Sequence, residues 1–137
     1  MKLADTPENR ATLDILTNTG RLVDWMRNDI GQADYGTSRV PYGVGGRGGS
    51  DYLGVIKPPH KSAGRWIACE IKRAGGKPDI QALDARIAAR DYCPGSCRHE
   101  RCKLVYQRLF HLRVMRSGGI ALFADCAADV LKALETA

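Results

Sequence analysis

Asp51-Tyr52-Leu53-Gly54-Val55-Ile56-Lys57 and Arg65-Trp66-Ile67-Ala68-Cys69-Glu70-Ile71-Lys72 are two strand-like runs separated by a segment that holds Pro58, Pro59, His60, Ser62 and Gly64. Apolar and β-branched residues bounded by turn formers predict a β-hairpin or meander. Side chains alternate along a strand, so Trp66, Ala68 and Glu70 share one face while Ile67, Cys69 and Ile71 share the other. Lys72 follows Glu70 by two residues and points the same way. An antiparallel pair of this length can bring its two ends together, with Asp51 at the head of one strand and Glu70-Ile71-Lys72 at the end of the next.

Outward from this pair, Pro7 and Glu8 open a segment whose Leu13, Ile15, Leu16, Leu22 and Val23 predict a helix that ends near Gly20. Val23 to Asn28 reads as a short strand. Residues 31–50, with Gly43, Gly45, Gly46, Gly48 and Gly49, read as an irregular, tightly turned loop. Downstream, helices are expected over about Asp79–Ala89 and Lys103–Arg116, a strand over Ile120–Ala124 and a closing helix over Ala127–Leu134. The two central helices, with a cysteine-bearing loop between them, resemble a helical hairpin with a stapled tip. The pattern is α/β: a mixed central sheet flanked by helices, in a single domain over residues 1–137.

The 137 residues suffice for one core, and contents of 44% hydrophobic and 26% charged residues exclude a wholly disordered or fibrous chain. No apolar run approaches membrane-spanning length and the first residues lack a signal-peptide core, so a cytoplasmic protein without a membrane partner is expected. The formal net charge of +6 favours a polyanionic partner.

Two carboxylates converging at a sheet edge suit magnesium or manganese, hard cations that prefer oxygen ligands. Asp51 and Glu70 are the candidate metal ligands, with the Ile71 carbonyl as a third, and Lys72 would orient an attacking water. Glu-x-Lys alone is too short to carry this; the ordered set of features around it does. Trp25-Met26-Arg27-Asn28 with Gly31, Gly48-Gly49-Ser50-Asp51-Tyr52-Leu53-Gly54, Gly64-Arg65-Trp66-Ile67-Ala68-Cys69-Glu70-Ile71-Lys72-Arg73, Gln107 and Gly118-Gly119-Ile120-Ala121 follow one another along the chain.

In these stretches the chain resembles the VRR-Nuc branch of the PD-(D/E)XK nucleases. The resemblance implies a restriction-endonuclease-like core (α-β-β-β-α-β-α) and metal-dependent hydrolysis of DNA. It implies metal binding by Asp51 and Glu70, catalysis by Lys72, support from a helix glutamine, and an acidic residue on the first helix, for which Glu8 is the candidate. Ser50 stands where the superfamily pattern has proline. Gln81 and Gln107 compete for the glutamine role; Gln107 suits the helix-to-strand step to Gly118-Gly119, which makes residues from about 78 to 102 an insertion. Gln107 could otherwise be a surface residue on a helix whose buried stripe is Val105, Leu109 and Leu112. Relatives of this stand-alone kind resemble structure-selective endonucleases that act as homodimers on branched, Holliday-junction-like DNA. A sequence-specific restriction-type nuclease is an alternative, as is a non-catalytic, zinc-stabilised nucleic-acid-binding module.

Five cysteines, an odd number, argue against a disulfide framework. Cys93, Cys97, His99 and Cys102 lie within ten residues and supply a donor set suited to one tetrahedral structural zinc. Cys69 and Cys126 read as small core residues. The expected DNA contacts are Arg27, Asn28 and Arg73 from the matching stretches, with Arg98 and Arg101 on the arm, beside Arg86, Arg90 and Lys103.

Overall fold

The computed structural model describes residues 4–34, 36, 39–94 and 97–137, with residues 31–34 and 39–42 described by backbone alone. Met1 to Leu3 at the chain start and Gly95 and Ser96 in the cysteine loop lie outside the described residues. The elements run α1 (Pro7–Thr19), β1 (Val23–Arg27), β2 (Gly31–Asp34), β3 (Arg39–Tyr42), β4 (Tyr52–Ile56), β5 (Trp66–Ile71), α2 (Ile80–Ala88), α3 (Glu100–Arg116), β6 (Ile120–Ala124) and α4 (Ala127–Glu135).

One sheet has the order β1-β4-β5-β6, with the first three strands antiparallel and β6 parallel to β5. The expected mixed sheet with flanking helices is therefore present. The stretch expected to be irregular differs, because Gly31–Asp34 and Arg39–Tyr42 pair as a separate antiparallel ribbon. Glycine and proline in these residues hide the alternation that marks a strand. The second central helix begins at Glu100, earlier than expected, because His99 already takes the extended backbone of an N-cap.

Helices α1 and α4 cover one face of the sheet. Thr6 caps α1 by accepting from the Asn9 amide at 3.2 Å, Pro7 occupies the first turn where a missing N–H costs nothing, and Gly20 ends the helix. Ala11 and Ile15, one turn apart, pack with Val130 and Leu134 of α4 onto Val23, Ile56, Ile67, Cys69 and Ile71. Asp14 accepts from the Ala127 amide at 2.8 Å, placing a carboxylate at the N-terminus of α4 where the helix dipole favours it.

Helix α3 covers the other face, where Phe110 packs on Leu53 and Ala68, and Leu83 of α2 and Val105 of α3 cluster with Phe123 of β6. Arg108 clasps Asp84 across the two helices at 2.8 and 3.1 Å. With helices on both faces, β5 is buried from Ile67 to Ile71, as a strand between two layers must be. Gly54 in β4 is a close-approach position: a Cβ there would run into Val23 and Trp25 of β1.

The buried side of α3 is not the stripe of Val105, Leu109 and Leu112 that would leave Gln107 on the surface. Cys102, Val105, Gln107, Phe110 and His111 are buried, while Leu109 and Leu112 are only half-buried. The polar side chains on that face point at polar groups of the sheet edge, which a reading by hydrophobicity misses. Among the described residues, no helix is long and apolar enough to cross a membrane.

Candidate active site and metal centre

The register of the hairpin places the carboxylates. Tyr52 pairs with Cys69 in the β4–β5 ladder, so the next step outward sets Asp51 opposite Glu70. The two are cross-linked through the backbone: the Asp51 amide donates to Glu70 Oε2 at 3.1 Å, and the Ile71 amide donates to Asp51 Oδ2 at 2.9 Å. The third strand adds a brace, since the Asn28 amide donates to the Asp51 carbonyl at 2.8 Å.

Gln107 reaches this pair from α3. Its Nε2 donates to Glu70 Oε1 at 2.7 Å and its Oε1 accepts from Lys72 Nζ at 3.0 Å. Lys72 Nζ lies 3.7 Å from Glu70 Oε1. Gln107 is 3% exposed and Glu70 5%, so the network is rooted in the interior, with Lys72 half-buried and Asp51 exposed at its outer end. Gln81, the competing glutamine, is exposed on α2.

Burial pushes the Glu70 carboxyl up to about 8, and the neighbouring Asp51 carboxylate adds to the rise while Lys72 opposes it. Glu70 therefore favours its protonated form at neutral pH even with Lys72 beside it.

These groups sit on the wall of a cleft of about 990 Å³. Arg27, Arg47, Lys72, Arg73, Arg98 and Lys103 line it together with Asp29, Asp51, Glu70 and Glu100, and Glu8 enters it from α1, so its charge is mixed. Of the expected DNA contacts, Arg27, Arg73 and Arg98 line this cleft; Arg101 is exposed and is not part of its lining. Arg27 ion-pairs with Asp29 at 2.8 Å. Asn28 lines the cleft but is committed to the protein. Its Nδ2 donates to the carbonyls of Val44 at 2.8 Å and Ser50 at 3.0 Å, and its Oδ1 accepts from the Val44 amide at 2.9 Å. It ties β1 to the loop that precedes Asp51, a positioning task.

Behind the carboxylates, Ser50 Oγ meets His111 Nε2 at 3.0 Å, both residues fully buried. Among the described residues, His111 Nδ1 has no hydrogen-bond partner. Desolvation, with Arg108 and Lys72 nearby, draws His111 down to about 3, so the ring is neutral. No local pattern joins these two residues, which are separated by 61 positions.

Cys93, Cys97, His99 and Cys102 converge as expected, with their ligand atoms within 4.8 Å of one another, and could hold a metal ion such as zinc. Arg47, unmarked by any sequence pattern, donates from Nη2 to the Cys97 carbonyl at 2.9 Å and to its sulfur at 3.4 Å. That guanidinium draws the Cys97 thiol down to about 6, favouring the thiolate. Cys69 is buried in the core and Cys126 is half-buried at the start of α4.

No protein-family model, curated protein or solved structure matches the chain.

Proposed function

We propose that the protein is a magnesium-dependent DNA endonuclease of the VRR-Nuc kind, with a restriction-endonuclease-like core, acting as a homodimer on branched DNA. The observation that carries this reading is the meeting of Asp51, Glu70, Lys72 and Gln107 in one hydrogen-bonded network on the wall of a cleft that also presents Arg27, Arg73 and Arg98.

The donor set fits a hard divalent cation. Two carboxylates sit opposite each other on adjacent strands, and burial together with the Asp51 charge raises the pKa of the inner one, so a cation held between them would relieve both effects. Asp51 and Glu70 would hold the ion, with the Ile71 carbonyl beside them and Glu8 across the cleft. Bound there, magnesium or manganese supplies a lowered water pKa and neutralisation of the phosphate and the leaving oxygen.

The chain's own groups perform the rest. Water oxygen must attack phosphorus, its proton passing to solvent, as the P–O bond to the leaving sugar oxygen breaks and that oxygen takes up a proton from solvent. Lys72, held by Gln107, places its ammonium where it orients the water and offsets charge on the non-bridging oxygens. Arg27, Arg73 and Arg98 draw the backbone into the cleft by displacing its counterions. A single small site cuts one strand, so paired cuts at a junction need a second site, which two-fold symmetry supplies.

The test is cleavage of four-way junctions, flaps and linear duplexes by purified protein with magnesium, manganese or EDTA. Junction cutting that needs the metal and vanishes in Asp51→Ala and Glu70→Ala is expected. Cutting that survives both substitutions overturns the site. Metal-independent binding without cutting favours the zinc-stabilised binding module, for which the cysteine cluster beside the cleft speaks. Cuts at one sequence in linear duplex indicate a restriction-type enzyme.

A further inference from the structure

We propose that Cys93, Cys97, His99 and Cys102 form a structural zinc centre that, through Arg47 and Tyr106, fastens the glycine loop of residues 43–50 to the helical arm. It stands or falls whether or not the protein cuts DNA.

Tetrahedral ligands at a Zn–S distance of about 2.3 Å lie about 3.8 Å from one another. The four donor atoms here are within 4.8 Å, and Cys93 Sγ and His99 Nδ1 are already 3.5 Å apart. Closing the set around an ion needs side-chain adjustments of an ångström or less. Three sulfurs and an imidazole suit zinc and disfavour magnesium, and a closed set of four protein ligands is a structural arrangement, with no position left for substrate. Residues 93–102 contain no large aliphatic or aromatic side chain, so the segment has little apolar surface with which to hold itself. Metal binding is a means by which such a segment gains stability.

The surroundings have the hydrogen bonds that support thiolate ligands. The Cys93 amide donates to Cys102 Sγ at 3.4 Å, and Arg47 Nη2 donates to Cys97 Sγ at 3.4 Å. Arg47 belongs to the glycine loop, fifty positions away in sequence. Its guanidinium stacks 4.2 Å from the centre of the Tyr106 ring, and Tyr106 returns a hydrogen bond from its hydroxyl to the Cys93 carbonyl at 2.8 Å. Gly48, at φ +87°, lies against the backbone of Tyr106 so closely that a Cβ would clash with it. The Cys97 carbonyl thus holds the loop directly through Arg47, the Cys93 carbonyl holds the Tyr106 ring on which Arg47 stacks, and that loop leads directly into Ser50 and Asp51. Cys97 and His99 also line the cleft, so the centre forms part of its wall.

The full chain, produced with zinc in the medium and dialysed, is expected to carry one zinc per chain by elemental analysis. Cobalt exchanged into it is expected to give the intense visible bands and sulfur charge transfer of a tetrahedral thiolate site. Chelation of the metal is expected to raise amide hydrogen exchange several-fold in residues 43–50 as well as in the cysteine loop, while β5 stays protected. Arg47→Ala, which removes no ligand, is expected to keep the zinc and loosen residues 43–50 alone. Zinc far below stoichiometric, or thiol titration showing a disulfide among the three cysteines, overturns the centre. Unchanged exchange in residues 43–50 after chelation overturns the fastening.

Discussion

Gln107 donates a 2.7 Å hydrogen bond to Glu70, and through it helix α3 is coupled to the end of strand β5. The same amide accepts from Lys72, so one uncharged side chain holds the acidic and the basic member of the site in fixed relation. Replacing Gln107 by leucine leaves a buried carboxylate oxygen without its donor and Lys72 without its acceptor. A hydrogen bond to a charged group contributes about 1.5–3 kcal/mol, which corresponds to a loss of about 10- to 100-fold in rate. Single-turnover cleavage of a junction should show that loss with DNA affinity unchanged; an unaltered rate would remove Gln107 from the machinery.

Glu70 predicts a pH dependence in the metal-free protein. Its folded-state pKa of about 8 lies above the ordinary 4.5, chiefly through burial. Between those values the unfolded chain has released the proton that the folded chain keeps. The contribution to stability is therefore complete below pH 4.5 and declines by about 1.4 kcal/mol per pH unit as pH rises towards 8. Glu70→Gln cannot ionise, so thermal melts in EDTA should show it gaining on the wild type from pH 5 to pH 8. Parallel melting curves would mean that Glu70 is ionised throughout.

His111 has the opposite sign. Its pKa falls from 6.5 to about 3, again chiefly through burial. The unfolded chain binds a proton in that window and the folded chain does not, so this group's contribution is present above pH 6.5 and is lost as pH falls towards 3. The double variant Ser50→Ala, His111→Leu removes both ends of the 3.0 Å contact and leaves neither partner stranded. Its melting temperature should fall less than the wild type's between pH 7 and pH 4; an equal fall would place the acid sensitivity elsewhere.

How far the sequence foretold this arrangement depends on the range of each signal. The alternation in residues 65–72 was enough to put Glu70 and Lys72 on one face, since that needs only a period of two. Asp51 opposite Glu70 needed the register, which the segment from Lys57 to Gly64 sets and composition does not reveal. The choice of Gln107 over Gln81 rested on distance to the next strand, and the packing of α3 against the sheet explains it: Gln107 and His111, one turn apart, share the buried face with Phe110. The β2–β3 ribbon was masked by glycine and proline. Asn28, Arg47 and Ser50 act through partners 16 to 61 positions away, and no local pattern marks such contacts.

Arg98 and Arg101, three residues apart on the arm, separate two accounts of DNA binding. If charge anywhere on the arm suffices, reversing either arginine should weaken binding equally. The proposed function puts the backbone in the cleft, which Arg98 lines with Lys103 and Arg73, whereas Arg101 is exposed and outside that lining. A phosphate contact releases about 0.9 of a counterion, so losing one lowers the slope of log affinity against log salt by about 1. Arg98→Glu should show that drop in fluorescence-anisotropy titrations across a salt series with catalytically silent Glu70→Ala protein. Arg101→Glu should keep the slope and lose only a small amount of affinity through the long-range field, which salt screens beyond about 10 Å. Equal slopes for the two variants would mean that DNA takes a path along the arm and not through the cleft.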